Sequence, residues 1–234
     1  MIFKFLKKKI YIDFITTSQI AYDYNPIKKS INFLPDWFKK LPKEYMNDFF
    51  PTSTLKRCPG IVDLYKKGMI MPLWSDLALK TESNPTDMRY QFADQESKIE
   101  FHDPRQRGAY LPSDKYINFK IISPWLAETK ENISWLLAPC TWNYNPFNFH
   151  IVKGVINFKY VQFIQVQSFI PFTDSSFIIE QGTPLLQIIP LSDREVEIKT
   201  HLVDHNDFEK RKKSNIISFT NSYKKALKKR VLNN

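Results

Sequence analysis

Short runs of β-branched and aromatic residues, each bounded by Gly, Pro, Asn or Ser, dominate the chain, and the runs stay short along most of its length. That punctuation predicts strands over residues 11–17, 69–80, 87–93, 116–123, 132–138, 150–157, 160–170, 176–180, 184–190 and 195–201. Two short helices are predicted between the first strand and the rest. Pro35-Asp-Trp-Phe-Lys-Lys-Leu reads as one with proline in its first turn, closed by Pro42. The second covers residues 61–67, opened by Cys58-Pro-Gly and ended by Gly68. With turn signals between so many short strands, the predicted fold is mainly β, a sandwich or a barrel.

The last segment has another period. Residues 207–232 contain no Gly or Pro, and Ile216, Phe219, Tyr223, Leu227 and Val231 recur at steps of three or four, one face of a helix. The division expected is a β-rich domain over 1–206 and a basic amphipathic helix over 207–234. Charge follows the same division. The net charge is +10, yet residues 1–10 hold four lysines and no acid. Residues 210–234 add Lys210, Arg211, Lys212, Lys213, Lys224, Lys225, Lys228, Lys229 and Arg230, also with no acid. Residues 11–209 are left with 21 basic and 24 acidic side chains, so an anionic partner such as nucleic acid would meet the tails and not the body. The alternatives for the helix are a membrane surface or docking on its own domain or a protein partner.

At 234 residues, 43% hydrophobic and 15% aromatic, the chain can bury a substantial core. No apolar run reaches the roughly 18–20 residues of a membrane-crossing helix. The N-terminus lacks a long apolar region after its lysines and is a poor signal peptide. Cys58 and Cys140 are far apart and match no metal or redox spacing, which suits a reducing, intracellular setting.

Gly154-Val155-Ile156-Asn157-Phe158-Lys159-Tyr160, followed by Gly182-Thr183-Pro184-Leu185-Leu186-Gln187, resembles the later core of the trimeric dUTPase family, where G-V-I-D-x-D-Y-R-G precedes G-D-R-I-A-Q-L. The resemblance implies a β-clip type of barrel. It would place Tyr160 against a deoxyribose and Asn157 where the family's water-activating Asp stands. An amide orients water but has no proton affinity with which to activate it. Lys159 replaces the next Asp. Upstream, Ala138-Pro139-Cys140-Thr141-Trp142 stands where the family has A-P-R-S-[SG], with Cys140 for the Arg and Trp142 at the second phosphate position. No glycine follows Gly182, so a phosphate-wrapping tail of the usual kind is not expected. The scaffold resembles the family while its chemistry does not. Residues 30–195, with Lys-Arg-Cys-Pro-Gly-Ile-Val-Asp early and Gly-Thr-Pro-Leu late, also look like uncharacterised proteins of marine tailed phages, which implies no activity.

Arg105 and Arg107, in Phe-His-Asp-Pro-Arg-Gln-Arg-Gly, suit a phosphate or carboxylate, and Gln187 joins them as a ligand-binding candidate through the resemblance. His201 and His205 are four apart, but the segment before them reads as strand, so no metal site is expected. Trp37, Trp74, Trp125, Trp135 and Trp142 read as core and rim packing, with a base-stacking platform as the alternative.

The function expected is a non-catalytic phage accessory or structural protein, acting as a binding module in the host cytoplasm or the virion. A protein partner or self-association is expected, with nucleic acid at the basic tail as an option. No cofactor is expected; Mg²⁺ enters only with the alternative, a diverged nucleotide hydrolase using Asn157 and Tyr160.

Overall fold

A computed structural model describes residues 8–84, 86–106, 108, 110–143 and 149–218. It opens with β1 (Ile10–Thr16), α1 (Gln19–Asp23) and β2 (Lys28–Lys29). Next come α2 (Asp36–Lys40), the hairpin β3 (Glu44–Asn47) and β4 (Phe50–Ser53), and α3 (Pro59–Lys67). The middle holds β5 (Met69–Pro72), β6 (Leu77–Ser83), β7 (Thr86–Phe92), β8 (Lys98–Phe101), β9 (Tyr116–Glu128) and β10 (Trp135–Pro139). The chain continues through β11 (His150–Ile151), β12 (Gly154–Ile156), β13 (Phe163–Pro171), β14 (Ser175–Ile179), β15 (Pro184–Pro190) and β16 (Val196–Leu202). Helix α4 (His205–Ser218) follows.

The fold is mainly β, with open sheets and short helices near its start. One sheet runs β11-β13-β9-β1-β16, with β8 also on β9; a second runs β12-β10-β15-β5-β2; a third is β14-β6-β7. β1 pairs antiparallel with β9 and parallel with β16, so the first and last strands lie side by side. Alternation explains the facing: Ile10, Ile12 and Phe14 of β1 are buried and Tyr11 is exposed. Apolar residues from all three sheets merge in one core, which holds Trp74, Trp125, Trp135, Phe119 and Phe158.

A smaller core seats the N-terminal helices. Phe38 of α2, Ile61 and Tyr65 of α3, Ile70 of β5 and Cys140 pack together, with Phe33, Leu34 and Trp142 at its margin. Pro59 occupies the first turn of α3, where its missing N–H costs nothing. Pro35 stands as the N-cap of α2, one place ahead of the first turn.

Several boundaries differ from the sequence reading. Residues 69–80 form β5 and β6 in different sheets, since the buried residues Leu73–Ser75 turn the chain between them. Residues 150–157 divide in the same way, with Val152-Lys153 between β11 and β12. The strands β2, β3, β4 and β8 and the helix α1 have no counterpart in the sequence pattern. Helix α4 begins at His205; of its predicted apolar stripe only Ile216 falls within it, and Phe219, Tyr223, Leu227 and Val231 lie outside the described residues.

Candidate functional site

The hairpin β3–β4 belongs to no larger sheet. Its strands pair Glu44 with Ser53, Tyr45 with Thr52, Met46 with Pro51 and Asn47 with Phe50. Asp48 turns the chain at a left-handed φ of 48°, a region that Asp tolerates better than most residues. Two isolated strands are marginally stable, so the neck must supply the rigidity. It does so through Thr54. The Thr54 amide donates to the Lys43 carbonyl at 3.1 Å, and its hydroxyl donates to the Pro42 carbonyl while accepting from the Lys56 amide. Lys56 Nζ donates to the carbonyls of Phe38 and Lys39 at 2.9 and 2.6 Å, above the Phe38 ring. Arg57 forms an ion pair with Glu44. The hairpin is therefore bolted to α2, and through Phe38 to the smaller core.

Beyond the neck the hairpin is bare. Phe49 is 84% exposed, Phe50 74%, Met46 68% and Tyr45 51%. Cross-strand partners share a face, so Met46 and Pro51 lie on one side, Tyr45 and Phe50 diagonally on the other, and Phe49 at the tip. Apolar surface thus appears on both faces and the end, on the order of 500 Å² by typical side-chain areas. A patch of that size is in the range of the largest apolar patch on typical monomers, which is often functional. At the base stand the exposed cations Lys39, Lys40, Lys43 and Arg57, while the Trp37 indole turns to Phe38 and Trp142.

The residues nominated from sequence fall elsewhere. Asn157 closes β12. Its amide nitrogen donates to Asn132 Oδ1 at 2.9 Å and its oxygen accepts from the Lys159 amide at 3.1 Å, the pattern of an Asx turn. Tyr160 is half-buried in the same turn, with Lys159 Nζ 6.0 Å from its ring centre. Between them Phe158 is fully buried against Trp135, ring centres 5.7 Å apart. The turn is anchored by the one position the family pattern leaves free.

Gln187 is 3% exposed, and its amide nitrogen donates to Ser30 Oγ at 3.2 Å and to the Leu64 carbonyl at 3.4 Å. Its amide is used in tying β15 to Ser30 and to the last turn of α3. Arg105 is exposed and paired with Asp103 through two hydrogen bonds. Arg107 lies outside the described residues. Cys140 is buried, which pushes its thiol up from the usual range. Trp142 accepts, through its carbonyl, the indole N–H of Trp37 at 3.1 Å.

His102 bridges Gln106 and Gln167, and His201 meets Asp13 at 2.9 Å. No group of three metal-binding side chains occurs among the described residues. Of the basic tail, Arg211 is held by Asp207 and Glu128 and Lys212 by Glu209, while Lys210 is exposed. Lys213 lies on α4 with its side chain outside the described residues, as are Lys224, Lys225, Lys228, Lys229 and Arg230 altogether.

A cleft of about 560 Å³ opens between Thr17–Ile20, Trp74, residues 94–98, Ile122–Pro124 and Phe208 of α4. Trp74 Nε1 donates to Ser97 Oγ, which donates to Asp94 Oδ2. Burial pushes the Asp94 carboxyl up, but hydrogen bonds from Ser75, Ser97 and the backbone of residues 96–97 outweigh it and leave the group below its usual range. A carboxylate so fully occupied holds a loop together and is a poor proton acceptor. No described helix is long and apolar enough to cross a membrane.

No protein-family model and no curated protein matches the chain.

Proposed function

We propose that the protein is a non-catalytic binding module, in the manner of a phage accessory or structural protein of the host cytoplasm or the virion, and that β3–β4 is its contact element. The observation that carries this reading is a rigidly mounted hairpin with exposed apolar side chains on both faces and at its tip. Covering such an area is worth on the order of 10 kcal/mol before the costs of association are subtracted. The non-catalytic half draws support from Asn157, whose amide is committed to its own turn and to Asn132, and from the burial of Cys140.

The test places a thiol at the tip. Phe49→Cys, in a chain whose Cys58 and Cys140 are replaced, is labelled with a permeant thiol reagent, both as purified protein and in cells that produce it. A contact element is protected in cells and labelled when pure; equal labelling removes the reading. In parallel, the purified chain is incubated with deoxynucleoside triphosphates and Mg²⁺. Turnover that disappears in Tyr160→Ala would establish the nucleotide hydrolase instead.

A further inference from the structure

We infer that the β3–β4 hairpin is a wedge for an anionic bilayer surface, entering the interfacial layer with its tip while the lysines at its base contact the headgroups. The inference rests on the hairpin being a binding element and names what it binds.

Three observations select this occupant. The first is that both faces are apolar. A partner with one flat surface covers a single face and leaves the other in water, whereas a fluid interface surrounds the element on every side. The same point disfavours a second copy of this chain. Glu44–Ser53 and Met46–Pro51 are the pairs whose backbone groups point outward, because Thr54 bonds Lys43 and the pattern alternates from there. Pro51 therefore removes an outward donor from β4, and only β3 has an edge suited to pairing. Pairing there would extend the sheet and still leave Met46, Tyr45 and Phe50 in water.

The second observation is the order of chemistry along the hairpin. Phe49, Phe50 and Met46 lie within roughly 10 Å of the tip at about 3.4 Å per residue. Tyr45 comes next, and Lys43, Lys40 and Lys39 follow at the neck. Apolar tip, an amphipathic ring and then cations is the order of a bilayer interface read outward from the acyl chains. The depth agrees as well, since interfacial elements bury their apolar parts by about 5–10 Å.

The third observation is charge. Lys40 and Lys43 project near the neck while Lys39 and Arg57 are balanced by Asp36 and Glu44, so the base is net positive. The chain's net +10 sits in its tails, since residues 11–209 hold 21 basic and 24 acidic side chains, so long-range attraction to an anionic surface comes from the tails and the hairpin adds the local cations at its base. Asp48 is the one acid near the tip, at the turn next to Phe49.

The experiment uses the full chain and sedimentation with mixed phosphatidylcholine–phosphatidylglycerol vesicles, against pure phosphatidylcholine vesicles. Strong binding to the mixed vesicles and weak binding to the neutral ones is expected. Phe49→Ser/Phe50→Ser should weaken binding by about tenfold or more, with the tails intact, and Phe49→Leu/Phe50→Leu should restore most of it. Lys40→Glu/Lys43→Glu should also weaken it. Insertion is read separately by Phe49→Trp, whose added fluorescence should shift to the blue and be quenched by brominated acyl chains; simple adsorption of the basic tails gives neither signal. Binding that ignores both phenylalanines, or a tryptophan that brominated lipid does not quench, overturns the inference. A residue 49 protected in cells while no vesicle is bound would assign the hairpin to a protein pocket, keeping the binding element and rejecting the bilayer. A residue unprotected in cells would reject both.

Discussion

Gln187 Nε2 donates to Ser30 Oγ at 3.2 Å, joining residues 157 positions apart where β15 and the α3–β5 junction pass each other. The same nitrogen reaches the Leu64 carbonyl, the last turn of α3. Replacing Gln187 by Leu keeps the volume and strips both acceptors of this donor inside the core. A loss of about 1–3 kcal/mol is expected, the cost of unsatisfied buried polar groups. Urea unfolding should show a lower midpoint at unchanged slope.

Gly68 sits against that node. Its backbone is ordinary, with φ of −87°, so a side chain would be allowed on conformational grounds. Space forbids it: a Cβ would lie 2.9 Å from Ser30 Oγ, 3.1 Å from the Leu64 carbonyl oxygen and 3.2 Å from Gln187 Nε2. In open space Gly→Ala stabilises by roughly 0.4–1 kcal/mol. Here Gly68→Ala should instead destabilise by about 1–3 kcal/mol, since one of the crowding atoms is backbone and cannot turn away. Thermal denaturation decides the sign.

The hairpin tip should behave in the opposite way. Phe49 and Phe50 touch water in the folded chain as they do in the unfolded one, so Phe49→Ser/Phe50→Ser should leave stability within about 0.5 kcal/mol. Retention on a phenyl hydrophobic-interaction column should nevertheless fall sharply. A large drop in melting temperature would mean that the tip packs on the body.

Where sequence pattern matched the structure, one physical rule governed. β15 was read at residues 184–190 and is found there, with Pro at both ends and an apolar run between. Helix α3 was legible from its Pro and Gly boundaries. The hairpin was not, because β3 and β4 are four residues each and carry apolar groups on both faces, so no period of two appears between Pro42 and Pro51. The run at 69–80 misled for the reverse reason. Leu73 and Trp74 are buried in the turn that links two sheets, and a turn inside a core looks like strand in sequence. For Gln187, spacing identified a position of consequence but could not tell a ligand contact from a core hydrogen bond. Residue types alone do not say which way an amide points.

Among the described residues, two side chains of helix α4 reach the body. Arg211 bonds Glu128 at 3.0 Å and Phe208 lines the cleft beside Trp74. Phe208→Ala/Arg211→Ala should release the helix while the strands stay folded. Limited proteolysis should then cut after residue 204 several-fold faster, with the melting temperature of the remainder little changed. Equal cleavage rates would show that other contacts hold the helix.

Tyr65 gives the fold an alkaline limit. Burial, and then the nearby Cys140, push its hydroxyl up from 10.0 to about 12, and the hydroxyl donates to Asn143 Oδ1 at 2.8 Å. Asn143 in turn donates to the Phe33 carbonyl, so the bond ties α3 to the segment ahead of α2. The folded state favours the protonated phenol. Its contribution is complete below the unfolded value of about 10 and is lost as pH rises through about 12. Tyr65→Phe lacks the titrating group. At neutral pH it should be less stable by about 0.5–1.5 kcal/mol, the worth of one hydrogen bond. As the pH climbs past about 10 the wild type should lose its advantage and the two unfolding midpoints should converge. A gap of constant size from neutral to alkaline pH would show that the phenol titrates in the folded chain as it does in the unfolded one.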